Sequence, residues 1–280
     1  MKNIFVIGTG TMGLGIAQVF STFGYGVKLF GRTPESTGKA AAKLAKGLNK
    51  RVERGKMERE KADAIIAGIT FTNTYDDAKD ADIVIEAIKE DMGLKKTLFA
   101  TLEEICPETT IFATNTSSIS ITEIAAATKR PDKFIGMHFF NPATVMKLVE
   151  LIRGMHTSDE TFAAIRDLTV AIGKDPVDGA EAPGFVVNRL LIPMINEACE
   201  IVQNGIASPA DVDKAMQLGC NHPMGPLALG DLIGLDVCLA IMDTLYNETG
   251  DSKYRASCLL RKMVRAGKLG RKTGKGFFEY

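Results

Sequence analysis

His138 is one of only three histidines in the chain, and it closes an apolar run in the segment GMHFFNP. Shortly after it, MKLVELI places Glu150 inside a second apolar run. A carboxylate buried there is costly without a partner, and an imidazole is a natural one. Such a pair would fix the ring's orientation and raise its basicity, as proton transfer at a hydroxyl or carbonyl requires. The competing reading puts Glu150 on an edge strand, facing water. TNTSSIS sets Asn115, Thr116, Ser117 and Ser118 in a loop beyond another apolar run. Helix capping is the commonest use of such residues. A loop at a strand end also suits holding a substrate oxygen or a coenzyme ribose. Asn188, in PGFVVNR, is either a hydrogen-bonding group in a cleft or a link between helices.

A second set of residues points to anion chemistry. GTGTMG spaces Gly8, Gly10 and Gly13 as G-x-G-x-x-G, with Thr11 and Met12 between the last two. The motif follows a strand-like run and opens a helical one, the context of a dinucleotide-binding turn. Gly8 would permit the tight turn, Gly10 would let amides approach a pyrophosphate, and Gly13 would let helix and strand pack closely. At the end of the next run, VKLFGRTPE, an acid commonly holds the ribose of NAD; this chain has Gly31 and Arg32. Gly31 removes the repulsion of a 2′-phosphate and leaves room, Arg32 offers a fork of donors, and Thr33 offers a hydroxyl. The coenzyme expected is NADP(H), with NAD(H) weaker. Alternatively, Arg32 stacks on the adenine ring.

The elements that must position these groups alternate between two periods. NIFVIG, GVKLF, GITFT, ADIVIEAI, TTIFAT, KFIGMHF and MKLVELI read as strands separated mostly by helical segments, including one long polar helical region from Pro34 to about Ala67. That alternation predicts a parallel, doubly wound α/β sheet of Rossmann type, covered on both faces. Near Glu181 to Gly184 the style changes to helices broken by turns. The expected organisation is a dinucleotide-binding domain over residues 1–183 and an all-helical domain over 184–280. Ile192, Ile195, Leu232 and Leu235 suit either a core or a subunit interface.

Bulk composition narrows the rest. Lys plus Arg equals Asp plus Glu at 34 each, so there is no global field for nucleic acid or an acidic membrane. The five cysteines are scattered and form no C-x-x-C pair, which argues against a disulfide framework and a cysteine zinc site; no metal cluster is expected. The opening MKNIFVIGTG lacks a signal pattern, and no apolar run reaches membrane-spanning length. A cytoplasmic protein is the expectation.

The blocks IGTGTMGLGIAQ, NTSSISITEIA, GMHFFNPATVMKLVELI, APGFVVNRLLIPMINEA, GPLALGDLIGLD and GRKTGKGFFEY, in this order over essentially the whole chain, resemble the L-3-hydroxyacyl-CoA dehydrogenases, especially the bacterial 3-hydroxybutyryl-CoA members. The resemblance implies that His138 is the general acid/base and Glu150 its partner. It implies that Ser117 and Asn188 hold the reacting oxygen and the thioester end of an acyl-CoA substrate. Glu90, Lys95, Asn141 and Lys272 match positions that line the coenzyme site in the family. The resemblance also makes Lys50 and Arg54 candidates for CoA contacts, against the commoner outcome of a solvated helix face. It implies a homodimer, or a multiple of one, through the helical domains. A β-hydroxyacid dehydrogenase using a catalytic lysine and a crystallin-like binding protein without turnover are the competing functions.

Overall fold

The computed structural model describes residues 1–280. The chain divides into two units, Met1–Glu181 and Ala182–Tyr280.

In the first unit, β1 (Asn3–Ile7) leads through the glycine turn into α1 (Thr11–Thr22), followed by β2 (Gly26–Phe30), α2 (Pro34–Glu53), α3 (Arg59–Ala67) and β3 (Ile69–Thr72). Next come β4 (Ile83–Glu86), α4 (Met92–Glu103), β5 (Ile111–Thr114), α5 (Ile121–Ala125) and β6 (Phe134–Phe139). The unit closes with β7 (Leu148–Arg153), α6 (Asp159–Ala171) and β8 (Asp175–Ala180). The strands form one eight-stranded sheet in the order β3-β2-β1-β4-β5-β6-β7-β8. The order turns back on itself between β1 and β4, and in such sheets ligands bind beyond the carboxyl ends of the strands at that point.

The inner strands are apolar on both sides because helices cover both faces. Ile4, Val6, Leu29, Ile83 and Ile85 pack with residues of α1, α2 and α3, and Leu151 packs with Ile165 and Leu168 of α6 in the same core. Alternate residues face the other layer, where Phe99 of α4 lies 4.6 Å from the Phe134 ring and 5.3 Å from Phe112.

Three features depart from the sequence-based expectation. β7 runs antiparallel to β6. Residues 140–147 contain no helix and are too few for a parallel crossover, which needs about a dozen or more. β8, DPVDGA, shows no apolar alternation because it is an exposed edge strand, and Pro176 suits that place. The polar region after β2 is two helices, broken near Gly55, whose φ of 64° favours glycine.

The second unit contains α7 (Val187–Gln203), α8 (Pro209–Cys220), α9 (Pro226–Ile233), α10 (Leu235–Thr249) and α11 (Cys258–Arg265). Ile192, Ile195 and Leu235 belong to its buried core, whereas Leu232 is exposed. Asp213 accepts from the amides of Leu227 and Ala228, 2.8 Å each, and so caps α9. Asp231 accepts from the amides of Phe277 and Phe278 at 3.0 Å and fastens the C-terminal segment. No helix of the chain is long and apolar enough to cross a membrane.

Candidate functional site

The glycine turn joins β1 to α1, and its glycines have separate reasons. Gly8 has φ 116°, and a Cβ on it would lie 2.4 Å from the Ala87 carbonyl oxygen beyond β4. A Cβ on Gly13 would lie 1.9 Å from the Gly8 carbonyl oxygen, so only glycine lets α1 come this close. Gly10 is the N-cap of α1, where a Cβ would meet nothing within 4 Å. No side chain caps α1 and no acid stands in its first turn. Amides at a helix start, open space at Gly10 and exposed Thr11 together fit a pyrophosphate. Met12 is partly buried and packs on the core.

At the end of β2, a Cβ on Gly31 would lie 2.6 Å from Thr37 Cγ2, 2.7 Å from Thr9 Cγ2 and 2.8 Å from Ser36 Oγ. The room expected beside Gly31 is therefore already taken by three side chains, which an acid there would have to displace. Thr33 is the N-cap of α2 and accepts from the Ser36 amide at 3.2 Å. Arg32 beside it is exposed, and its guanidinium joins no ion pair or hydrogen bond. Its positive charge reaches Tyr75, which stacks on Phe30 at 4.2 Å.

β5, β6 and β7 deliver the groups that can move a proton. The antiparallel register sets His138 of β6 directly opposite Glu150 of β7. His138 Nδ1 lies 2.7 Å from Glu150 Oε2, and Glu150 is fully buried. β7 lies between β6 and β8, so Glu150 is not on an edge strand. The other ring nitrogen, Nε2, lies 3.0 Å from Ser117 Oγ, in the loop after β5. Asn115 Oδ1 accepts from the Phe139 amide at 2.8 Å and ties that loop to the end of β6.

Behind Ser117 lies a charged cluster. Lys95 of α4 is buried, and its ammonium meets both oxygens of Glu86 at 2.8 Å and Glu90 Oε2 at 2.9 Å. With two carboxylates already in contact, Lys95 could touch a ligand only by giving up one of them. Glu90 Oε1 accepts from Thr116 Oγ1 at 2.6 Å and from the Ser117 amide at 2.7 Å. Burial pushes the Glu90 carboxyl up, but the Lys95 charge and the hydrogen bonds from Thr116, Lys95 and Ser117 outweigh it, holding Glu90 below the ordinary carboxylate range.

The first unit thus brings together Ser117, His138, Glu150, Glu90 and Lys95. Asn141 is exposed beyond β6, ahead of a cis bond to Pro142. Lys50 and Arg54 are exposed at the end of α2. Asn188 stands in the first turn of α7, half-buried, and Lys272 pairs with Asp236 at 2.5 Å; both belong to the second unit. No cluster of three His, Cys, Asp or Glu side chains has metal-holding geometry. Sequence reasoning passed over Glu86. The signal was there: an acid closing the apolar run ADIVIEAI needs a buried partner for the same reason as Glu150 in MKLVELI.

A phosphate-cradling turn and a buried imidazole–carboxylate pair on the strand ends of one sheet define a dinucleotide-dependent oxidoreductase. Comparison with known proteins gives the family. The NAD binding domain of 3-hydroxyacyl-CoA dehydrogenase matches residues 3–182, and that family's C-terminal domain matches residues 184–280. The chain is 58% identical over 275 residues to the 3-hydroxybutyryl-CoA dehydrogenase of Clostridioides difficile, covering 98% of each. It is 42% identical to the human mitochondrial hydroxyacyl-coenzyme A dehydrogenase, covering 100% of this chain and 91% of the relative. Among solved structures, (S)-3-hydroxybutyryl-CoA dehydrogenase PaaH1 from Ralstonia eutropha aligns with TM-score 0.96 and 48% identity, over 100% of this chain and 99% of that one. The chain belongs to the 3-hydroxyacyl-CoA dehydrogenase family.

Proposed function

We propose that this chain is an (S)-3-hydroxybutyryl-CoA dehydrogenase that interconverts 3-hydroxybutyryl-CoA and acetoacetyl-CoA, with NADP(H) favoured over NAD(H). The observation that carries the reading is His138 held between Glu150 and Ser117. In oxidation His138 Nε2 takes the proton of the 3-hydroxyl. Glu150 at Nδ1 fixes the tautomer and stabilises the imidazolium that forms. Ser117 Oγ stays within reach of the same oxygen as it becomes a ketone, and Asn188 holds the thioester end. In reduction the protonated His138 steadies charge on the carbonyl oxygen and then gives up its proton. A bound nicotinamide would supply or remove the hydride at C3.

In this reading Gly8, Gly10, Thr11, Met12 and Gly13 would hold the coenzyme's phosphates, Glu90, Asn115, Ser117, Asn141 and Lys272 would be its further contacts, and Lys95 holds Glu90. Arg32 and Thr33, exposed just past the buried Gly31, take the 2′-phosphate. Support for NADP(H) is that an acid at Gly31 would have to displace three side chains and that Arg32 is a free cation beside it. Lys50 and Arg54 contact the CoA nucleotide. Leu190, Leu232 and Val237, exposed on the helical unit, suit a homodimer seam. Five unpaired cysteines suit a reducing, cytoplasmic setting.

Reduction of acetoacetyl-CoA, followed at 340 nm with chiral analysis of the product, tests the assignment. Steady oxidation of NADPH with formation of the (S)-alcohol supports it. No turnover, or a free 3-hydroxy acid serving as well as its CoA ester, overturns it.

A further inference from the structure

Glu86 is completely buried, so no ligand can touch it, yet every lone-pair direction of its carboxylate is used. Oε1 accepts from the Ile88 amide at 2.7 Å and from Lys95, and Oε2 accepts from Thr114 Oγ1 at 2.6 Å and from Lys95. Two of these donors are held close to the sheet: Thr114 ends β5, and Ile88 lies two residues past the end of β4. The third is mobile by nature, a lysine on four methylenes. Two contacts to Glu86 and one to Glu90 use up the three donors of its ammonium. A buried ion pair is a weak device for stability, since an apolar pair of like volume often serves as well. It is a strong device for fixing a position, because any shift leaves a buried charge unpaired.

What the cluster fixes is the loop that carries Ser117. Glu90, anchored by Lys95, accepts from Thr116 Oγ1 and from the Ser117 amide. Thr116 Oγ1 in turn accepts from the amides of Ser118 at 3.3 Å and Ile119 at 2.9 Å. Apart from the Asn115 tie to β6 and the Thr116 amide bond to Thr114, the Thr116–Ser117 stretch hangs from one carboxylate, that carboxylate from one ammonium, and the ammonium from Glu86. At the far end Ser117 Oγ meets His138 Nε2 at 3.0 Å. We propose that Glu86 is a positioning residue for proton transfer: acting through Lys95 and Glu90, it sets where the Ser117 hydroxyl stands against His138. This rests on the dehydrogenase reading above.

A double-mutant cycle isolates such a role. Glu86→Asp keeps the charge and withdraws the carboxylate by about one bond, roughly 1.5 Å. It is combined with Ser117→Ala, and kcat for acetoacetyl-CoA reduction is measured at saturating coenzyme and substrate, with melting temperature as a folding check. With Ser117 present, Glu86→Asp lowers kcat about tenfold or more, the scale of an ångström-sized misplacement. In the Ser117→Ala background the same change costs less than about twofold, because the group it positions is gone. Glu86→Gln repeats the cycle with the charge removed; should it not fold, Glu86→Asp still decides. An equal loss in both backgrounds, or no loss in either, overturns the role of Glu86 while leaving the activity intact. A wild-type protein inactive on acetoacetyl-CoA overturns both.

Discussion

Replacing Arg32 by alanine removes the one unpaired cation beside Gly31 and disturbs nothing else that the structure holds in place. A hydrogen bond to a charged group is worth about 1.5–3 kcal/mol, and exposure to water draws the value towards the lower end. At about 1.4 kcal/mol per tenfold, the KM for NADPH should rise about 10- to 30-fold. The KM for NADH, which has no 2′-phosphate, should stay within about twofold. kcat should change little with either coenzyme, because Ser117, His138 and Glu150 lie on other strands and loops. Steady-state reduction of acetoacetyl-CoA with each coenzyme, on wild type and Arg32→Ala, measures all of these. Raised salt should weaken wild-type NADPH binding more than that of the variant. Gly31→Asp alone should not convert the enzyme to NAD, because its Cβ meets Thr9, Ser36 and Thr37 at 2.6–2.8 Å. It should instead lower the melting temperature and weaken both coenzymes. Equal losses with NADPH and NADH in Arg32→Ala would refute the phosphate argument and leave stacking on adenine as the role of Arg32.

Two further outcomes follow from burial and charge. Burial pushes the Cys106 thiol up to about 11 and the Cys199 and Cys238 thiols up to about 12, whereas Cys220 and Cys258 are exposed. A thiol-reactive dye near neutral pH should therefore label those two quickly, and the other three only on unfolding; rapid labelling of a third in the native protein would contradict this. The Glu90 carboxyl lies below its ordinary value of 4.5, so its stabilising contribution is full above 4.5 and is lost as pH falls through the lowered folded value. The melting-temperature gap between wild type and Glu90→Gln should shrink in acid, and a gap constant with pH would rule out that charge as the source.

What could be read in the residues was what local contacts or burial demand. Gly8 and Gly13 are dictated by backbone atoms a few ångströms away, and such demands appear in sequence as a motif. Glu150 was legible because an acid in an apolar strand needs a partner, and His138 was nearby in the chain. The reversal of β7, which sets the two face to face, was legible only in the shortness of segment 140–147. β8 left no trace because an edge strand needs no apolar alternation. The crowding at Gly31 comes from Thr9 in the glycine turn and from Ser36 and Thr37 at the start of α2, which spacing does not reveal. Glu86, Lys95 and Glu90 meet only when the end of a strand, the loop after it and the following helix fold back together; the apolar run around Glu86 signals a buried acid, but nothing local names Lys95 as its partner.

The most direct test of proton transfer by His138, held by Glu150, is kcat of His138→Ala, with the acyl-CoA KM and melting temperature measured alongside. Turnover should fall at least about a hundredfold, the usual loss for a positioned proton donor, while KM changes only a few-fold and the fold persists. Turnover near that of wild type would contradict it.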